Sequence, residues 1–248
     1  MQKNSQIHNL LTRILEKKSR YDAKKPFPKA MEESFYSASR IELTYHSNAI
    51  EGNTLTLADT ALVINEKANI PWKKLREIYE ARNHEQALSY VEKIVSEWKS
   101  IHESDILSIH EIILRDIDDE YAGRYRDLPV RITGSMITLP NPLKVPILME
   151  NFSKSLEKPD SDILLFSAIK KYEFLAIHPF IDGNGRTSRL LWNYFLLKSG
   201  YPLAHIDIVD RPRYMNALQK MDTWENDDYI LLMLEAVERS LDRFLDSF

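Results

Sequence analysis

Apolar positions recur along this chain at the spacing of buried helix faces, and in two stretches they fill nearly every position. Ile7, Leu10, Leu11, Ile14 and Leu15 mark an amphipathic helix of about four turns. Pro26 and Pro28 break that pattern. A second helix runs from about Ala30 through Phe35, Ala38, Ile41, Leu43 and Tyr45 towards Glu51, where Gly52-Asn53 supply a stop. Thr56 followed by Asp59 resembles a capping arrangement for a helix from Leu57 to about Ala68. Pro71 suits the first turn of a long helix reaching Trp98. Ser104 can cap another, with Ile106, Ile109 and Ile113 on its buried side. After Tyr121 the pattern changes: Val130, Ile132 and Ile137 flank Thr133-Gly134-Ser135, which reads as a short β-hairpin. Helices resume at about Ile147 and at Ser161, whose hydroxyl is the expected N-cap. The segments Ile163 to Ile177 and Leu190 to Leu197 are apolar on nearly every face and read as buried helices. From Arg211 two more helices turn Tyr214, Leu218, Ile230, Leu234, Val237 and Leu241 inward. The expected fold is all-α with one small β-hairpin.

Composition narrows the class of protein. The chain has 248 residues, 44% hydrophobic and 28% charged, an ordinary globular mixture. A net charge of −4 gives no basic field for nucleic acid. The absence of cysteine excludes disulfides, thiolate metal sites and a cysteine nucleophile, and fits a reducing compartment. The first residues open a polar amphipathic stretch and not the apolar core of a signal peptide. No apolar run approaches the roughly 18 residues of a membrane span. A soluble cytoplasmic protein with neither nucleic-acid nor membrane partners is expected.

The candidate chemistry lies between the two buried helices, in His178-Pro179-Phe180-Ile181-Asp182-Gly183-Asn184-Gly185-Arg186-Thr187-Ser188-Arg189. Gly183-Asn184-Gly185 can turn successive backbone N–H groups into one anion-binding concavity. A helix starting directly after it adds its own unpaired N–H groups and dipole. Arg186 and Arg189 share one helical face and can fork onto phosphate oxygens. Asp182 offers one carboxylate to Mg²⁺, and His178 is a competent base near neutral pH. Taken singly, each residue also reads as a turn, a solvated arginine or a buried imidazole. As a set they imply nucleotidyl or phosphoryl transfer to a nucleophile brought from outside.

This stretch resembles the Fic signature, His-Pro-Phe-x-(Asp/Glu)-Gly-Asn-Gly-Arg-x-x-Arg, with no departure at a defined position. Gly123-Arg124-Tyr125-Arg126, the hairpin and Pro140 resemble that family's flap region. The resemblance implies a Fic-like helical bundle with a small β-hairpin flap, and a protein adenylyltransferase (AMPylase) using Mg-ATP. By that resemblance His178 would deprotonate a Tyr, Thr or Ser hydroxyl of a target protein, which attacks the α-phosphorus and releases pyrophosphate. Asp182 would hold Mg²⁺, Gly183, Asn184 and Gly185 would bind phosphate oxygens, and Arg186 and Arg189 would take the β and γ sides. The flap around Val130 to Ile132 would hold the target backbone as an added strand. Tyr214 resembles a tyrosine lining the adenine pocket, and reads equally as an ordinary core residue.

Ser47-Asn48-Ala49-Ile50-Glu51-Gly52 is the second signal. Read plainly it is a helix end, where a glutamate lies in an unfavourable part of the dipole field and calls for a compensating cation. It also resembles the Fic inhibitory motif, (Ser/Thr)-x-x-x-Glu-(Gly/Asn). The resemblance implies that Glu51 forms a bidentate pair with Arg189 and occupies the place of the γ-phosphate. The expected organisation is N-terminal helices with the inhibitory helix over 1–70, a Fic core over 71–200, and C-terminal helices packed on it over 201–248. Self-modification is expected, and a homo-oligomer stays open. Two other readings stand beside the autoinhibited AMPylase: a de-AMPylase using the same site, and a low-turnover nucleotide-sensing binding module.

Overall fold

The computed structural model describes residues 2–131, 138–157, 162–221 and 227–247, with the side chains of 2–4 excepted. Among them the chain forms ten α-helices and no strand. In order they are α1 (Gln2–Ala23), α2 (Lys29–Ile50), α3 (Leu57–Asn65), α4 (Leu75–Ser96) and α5 (Glu103–Leu114), then α6 (Val145–Ser155), α7 (Ile163–Ile177), α8 (Asn184–Lys198), α9 (Arg211–Met221) and α10 (Asp227–Leu245). Of the expected hairpin, from Val130 to Ile137, residues 132–137 lie outside the described residues.

Helix α8 is the centre of the molecule. Every residue from Arg186 to Leu196 is buried, so the helix has no solvent face. Trp192 and Leu196 enter one apolar cluster with Ile14 of α1, Tyr214 of α9 and Val237 and Leu241 of α10. Leu190, Leu191, Tyr194 and Phe195 enter a second, with Leu43 of α2, Leu88 and Val91 of α4, Ile109 and Ile113 of α5, and Phe174 of α7. A helix apolar on all sides must be packed on all sides. That requirement brings α2 and α7 against the start of α8, where the polar residues lie.

Helix boundaries follow the carboxylates that reach back to them. Thr56 and Asp59 form the expected reciprocal capping box at α3. Helix α4 begins at Leu75 and not near Pro71, because Glu77 accepts from the Lys74 N–H at 3.1 Å and fixes the first turn there. The same helix stops at Ser96. Trp98 lies beyond it at positive φ and 80% exposed, against the expectation of a helix reaching that far. At α5 the N-cap is two residues before Ser104, at His102: Asp105 accepts from the His102 N–H at 2.9 Å, which places Ser104 inside the first turn. Ser161 lies outside the described residues, and Asp162 caps α7 by accepting from the N–H groups of Leu164 and Leu165. No helix among the described residues is long and apolar enough to cross a membrane.

Candidate active site

Helix α7 ends on His178, which lies in the left-handed region at φ 49° and ψ 61°. A side-chain-bearing residue there costs roughly 1–2 kcal/mol, so neighbouring contacts must hold it. Arg126 supplies two of them: its Nε donates to the His178 carbonyl at 2.8 Å and its backbone N–H to the Pro179 carbonyl at 2.9 Å. The loop then closes on itself. The Asn184 side chain accepts from the Phe180 N–H at 3.0 Å and donates to the Phe180 carbonyl at 2.8 Å. That amide is therefore committed to the loop, which leaves Asn184 only its backbone N–H for an anion.

His110 supports the loop from below. Its ring stacks on Phe180 with centroids 3.5 Å apart. Nδ1 accepts from the Gly123 N–H at 3.0 Å, which places the ring proton on Nε2, and Nε2 donates to the Asp182 carbonyl at 2.9 Å. Gly183 caps α8 at φ 77°, and a Cβ there would stand 3.2 Å from the His110 ring. The glycine is needed for both reasons.

The two arginines of α8 are in opposite states. Arg186 is 2% exposed, with Nη2 3.3 Å from Asp182 Oδ1 and Nη1 3.5 Å from Glu80 Oε1. Its Nε and Nη1 are buried and make no hydrogen bond. Unpaired buried donors are costly, and an anion at the start of α8 would satisfy them alongside the helix N–H groups. Arg189 is engaged through Nε and Nη2. Its Nε donates to Ser47 Oγ at 2.8 Å, and Nη2 donates to the Ser47 carbonyl and to Glu51 Oε1, each at 2.7 Å. The expected bidentate pair is thus a single contact, with Nε and the other Nη2 proton directed to Ser47. Glu51 lies directly against the glycine turn: a Cβ on Gly185 would come within 2.1 Å of Glu51 Oε1.

Glu51, Asp182, Arg186, Lys74, Arg76 and Glu80 line an open cleft of about 340 Å³. Asp182 is 43% exposed. Its Oδ2 accepts from Arg76 Nη2 at 2.6 Å and its Oδ1 from the Gly183 N–H at 2.6 Å. Partial burial pushes its pKa up, but Arg186, the Gly183 N–H and Arg76 together hold it below the usual range. Glu51 is lowered by the same balance, burial opposing and Arg189 and then Arg186 prevailing. His178 is brought down to about 4, first by burial and further by the Arg126 charge, against the Leu175 carbonyl, Glu51 and Asp182. At neutral pH Glu51 and Asp182 are therefore ionised on the cleft wall, and the His178 imidazole at the end of α7 is neutral. The partly exposed, ionised Asp182 carboxylate beside unpaired arginine donors fits a Mg²⁺-phosphate ligand.

Tyr214 lies in the core cluster of α8 and α10, and its hydroxyl accepts from the buried Lys171 Nζ. Burial drives the Lys171 pKa well below its ordinary value, and the Arg189 charge adds to it. Arg126, His110, Arg76, Glu80 and Lys171 all escaped the sequence reading. Each sits in a helix or turn whose pattern reads as structural, and only Arg126 lay in a segment already singled out, Gly123 to Arg126.

One further group could offer metal ligands, His46, His205 and Asp207. Its donors are spent. His46 Nδ1 accepts from the Ile208 N–H at 3.0 Å, so Nε2 carries the proton. His205 Nε2 meets Arg243 Nη1 at 3.0 Å, and Asp207 Oδ2 pairs with Arg239 Nε at 3.0 Å. The two rings stack 4.3 Å apart at 11°, so their in-plane lone pairs do not converge. The group ties α2 to the segment before α9.

Comparison with known proteins gives a consistent picture. Residues 100–196 match the family described as Fic/DOC. A protein adenylyltransferase Fic of Nematostella vectensis is 34% identical over 226 residues, covering 90% of this chain and 51% of the relative. One of Drosophila grimshawi is 33% identical over 204 residues, covering 81% and 42%. The chain thus spans about half the length, or less, of these curated relatives. A crystal structure of a Fic family protein from Desulfovibrio desulfuricans superposes with a TM-score of 0.77 at 31% identity, covering 97% of this chain and 74% of that one. Fic-1 of C. elegans superposes with a TM-score of 0.88 at 26% identity, covering 99% and 73%.

Proposed function

This chain belongs to the Fic family, and from that premise we propose that it is an autoinhibited protein adenylyltransferase. The contrast between the two arginines of α8 carries the reading: Arg186 is buried with unpaired donors, while Arg189 is closed off by Ser47 and Glu51. One anion position stands ready and the adjoining one is filled by the protein's own carboxylate.

In this mechanism ATP lays its phosphates on the start of α8. The N–H groups of Asn184 and Gly185, together with Arg186, take phosphate oxygens, and the Gly183 N–H joins them on leaving Asp182 Oδ1. Asp182 would hold Mg²⁺, which when bound neutralises phosphate charge. The neutral His178 imidazole accepts the proton of a Tyr, Thr or Ser hydroxyl on the target protein. The hydroxyl oxygen bonds to the α-phosphorus, the bond from that phosphorus to the bridging oxygen breaks, and pyrophosphate leaves with its electron pair. While Glu51 holds Arg189, a γ-phosphate cannot, and the α-phosphorus is not aligned for attack. Acceptors on the chain itself are included, since they are present at high local concentration.

The test is incorporation of α-labelled AMP by the wild type, Glu51→Gly and Glu51→Gly/His178→Ala, each with Mg²⁺ and a cell lysate. The expected result is strong labelling for Glu51→Gly alone. Equal labelling of wild type and Glu51→Gly removes the inhibitory role, and retained labelling in the double variant removes the base. No labelling by Glu51→Gly removes the transferase reading.

De-AMPylation at the same site is a second reading. It is favoured by Glu51 being 42% exposed at the cleft, where an ionised carboxylate can orient water. AMP release from a labelled target by the wild type, lost in Glu51→Gly, would select it.

A further inference from the structure

Arg126 stands apart from every other cation near the site. It is 2% exposed, and its side-chain partners among the described residues are all carbonyl oxygens. Nε donates to His178 at 2.8 Å, Nη2 to Pro140 at 2.7 Å and Nη1 to Leu128 at 3.4 Å. The backbone N–H adds the bond to Pro179. Burial lowers its pKa, and among the described residues no carboxylate offsets the charge. A buried guanidinium without a counter-anion is an expensive group. Structural packing alone would be served at lower cost by an apolar side chain of the same volume. What that side chain could not do is join three carbonyls from separate segments in one plane.

The three segments are those that matter for acceptor chemistry. His178 is the proposed base, and its left-handed backbone needs external support. Leu128 and Pro140 are well separated along the chain and lie on the same guanidinium. Turning the His178 peptide plane would turn the direction of its Cα–Cβ bond, and with it the imidazole. The Arg126 bond blocks that rotation.

We propose that Arg126 is a positioning residue for the transfer reaction: its guanidinium locks the His178 backbone in the orientation that presents the imidazole to the acceptor, and ties that orientation to Leu128 and Pro140. The proposal rests on the transferase reading for its kinetic test and on geometry alone for its spectroscopic one.

Arg126→Lys keeps the charge but offers one nitrogen for three carbonyls, and Arg126→Ala removes the group. Both are made in the Glu51→Gly background. The expected result is a kcat lower by roughly 10- to 100-fold, the scale of a small misplacement of a reacting group, with ATP affinity by calorimetry within about threefold of the parent. Added guanidinium at tens of millimolar (roughly, well below denaturing levels) restores part of the rate to Arg126→Ala and none to the parent. Histidine NMR titration, with His178 assigned by its loss in His178→Ala, shows the His178 resonance moved and titrating higher in Arg126→Ala. A kcat in Arg126→Lys equal to the parent overturns the proposal. So does a rate loss matched by equal loss of ATP affinity, or one with neither rescue nor change in His178. If the Glu51→Gly parent transfers nothing, the transferase reading has failed, and the NMR titration still decides Arg126. If Arg126→Ala does not fold, the shift and titration of His178 in Arg126→Lys decide it: an unchanged resonance overturns it.

Discussion

Glu51 Oε1 accepts from Arg189 Nη2 at 2.7 Å, joining the last turn of α2 to the first turns of α8 across 138 positions of sequence. Because the Glu51 carboxylate also lies where a Gly185 Cβ would stand, it does two things at once. It neutralises the arginine and fills the space above the glycine turn. A phosphate approaching Arg189 meets both the occupied donor and the occupied volume.

The first prediction concerns the pH at which this pair lets go. The folded-state pKa of Glu51 is depressed below its ordinary value of 4.5. Such a group contributes stability that is fully present above the unfolded value and lost as pH falls through the folded one. The melting temperature of the wild type should therefore exceed that of Glu51→Gln at pH 7, with the gap closing below about pH 4.5. Thermal melts of both proteins from pH 3.5 to 7 check this. A gap independent of pH would show that the carboxylate is not ionised against Arg189.

Much of this site could be read from the chain because its parts are contiguous or local. The run from His178 to Arg189 shows a glycine turn, a base and paired arginines within one loop, and Gly52 shows where α2 must stop. What could not be read was set by tertiary approach. Arg76 and Glu80 are spaced as an exposed i,i+4 pair on α4, and nothing local says that this face turns towards Asp182. His110 sits among the isoleucines of α5 and looks like core; its two hydrogen bonds go to residues 13 and 72 positions away. Helix starts at Lys74 and His102 were misplaced for the opposite reason. Proline and serine are stronger textual signals than a carboxylate reaching back from the third helical residue.

Arg76 gives the second prediction. Its Nη2 occupies Asp182 Oδ2, so a cation binding this carboxylate must displace or share it. Arg76 is 55% exposed, and an exposed pair is worth roughly 0.2–1 kcal/mol. Arg76→Ala in the Glu51→Gly protein should therefore lower the half-saturating Mg²⁺ concentration by roughly 1.5- to 5-fold. Calorimetric Mg²⁺ titration in the presence of a non-hydrolysable ATP analogue measures it. A higher Mg²⁺ requirement would show instead that Arg76 helps to hold the phosphates.

The third prediction follows from the neutral imidazole. With His178 brought down to about 4, the free enzyme keeps its base unprotonated across the physiological range. Glu51 is among the groups that raise the imidazole, so the acidic limb of kcat/KM in Glu51→Gly should lie at or below about pH 4, with a plateau above about pH 5. Bound phosphates add negative charge beside the imidazole and favour its protonated form, so the limb in kcat should lie higher. Rates measured from pH 3.5 to 8 distinguish the two limbs. A kcat/KM limb near the reference value of about 6.5 would mean that His178 is more solvated than its packing indicates.

The last prediction tests the buried amine behind Arg189. Lys171 is fully buried, its Nζ donates to the Tyr214 hydroxyl, and the same nitrogen lies over the Tyr214 and Tyr229 rings. Its pKa is depressed well below 10.5, so between the two values the unfolded chain binds the extra proton. Stability then rises with pH towards the unfolded value and falls as pH is lowered. Lys171→Met removes this term, and should be more stable than the wild type at pH 7 by roughly 1–3 kcal/mol, the cost of a buried polar group. That advantage should shrink towards pH 10 by up to about 1.4 kcal/mol per pH unit. Tyr214→Phe acts in the opposite direction, stranding the amine at a cost of roughly 1–3 kcal/mol, and should be nearly neutral once Lys171 is Met. Urea unfolding of the four proteins at pH 7 and pH 9 closes this cycle. Parallel pH dependence for wild type and Lys171→Met would mean that Lys171 is protonated in the folded protein, and its charge would then have to count among those facing the nucleotide.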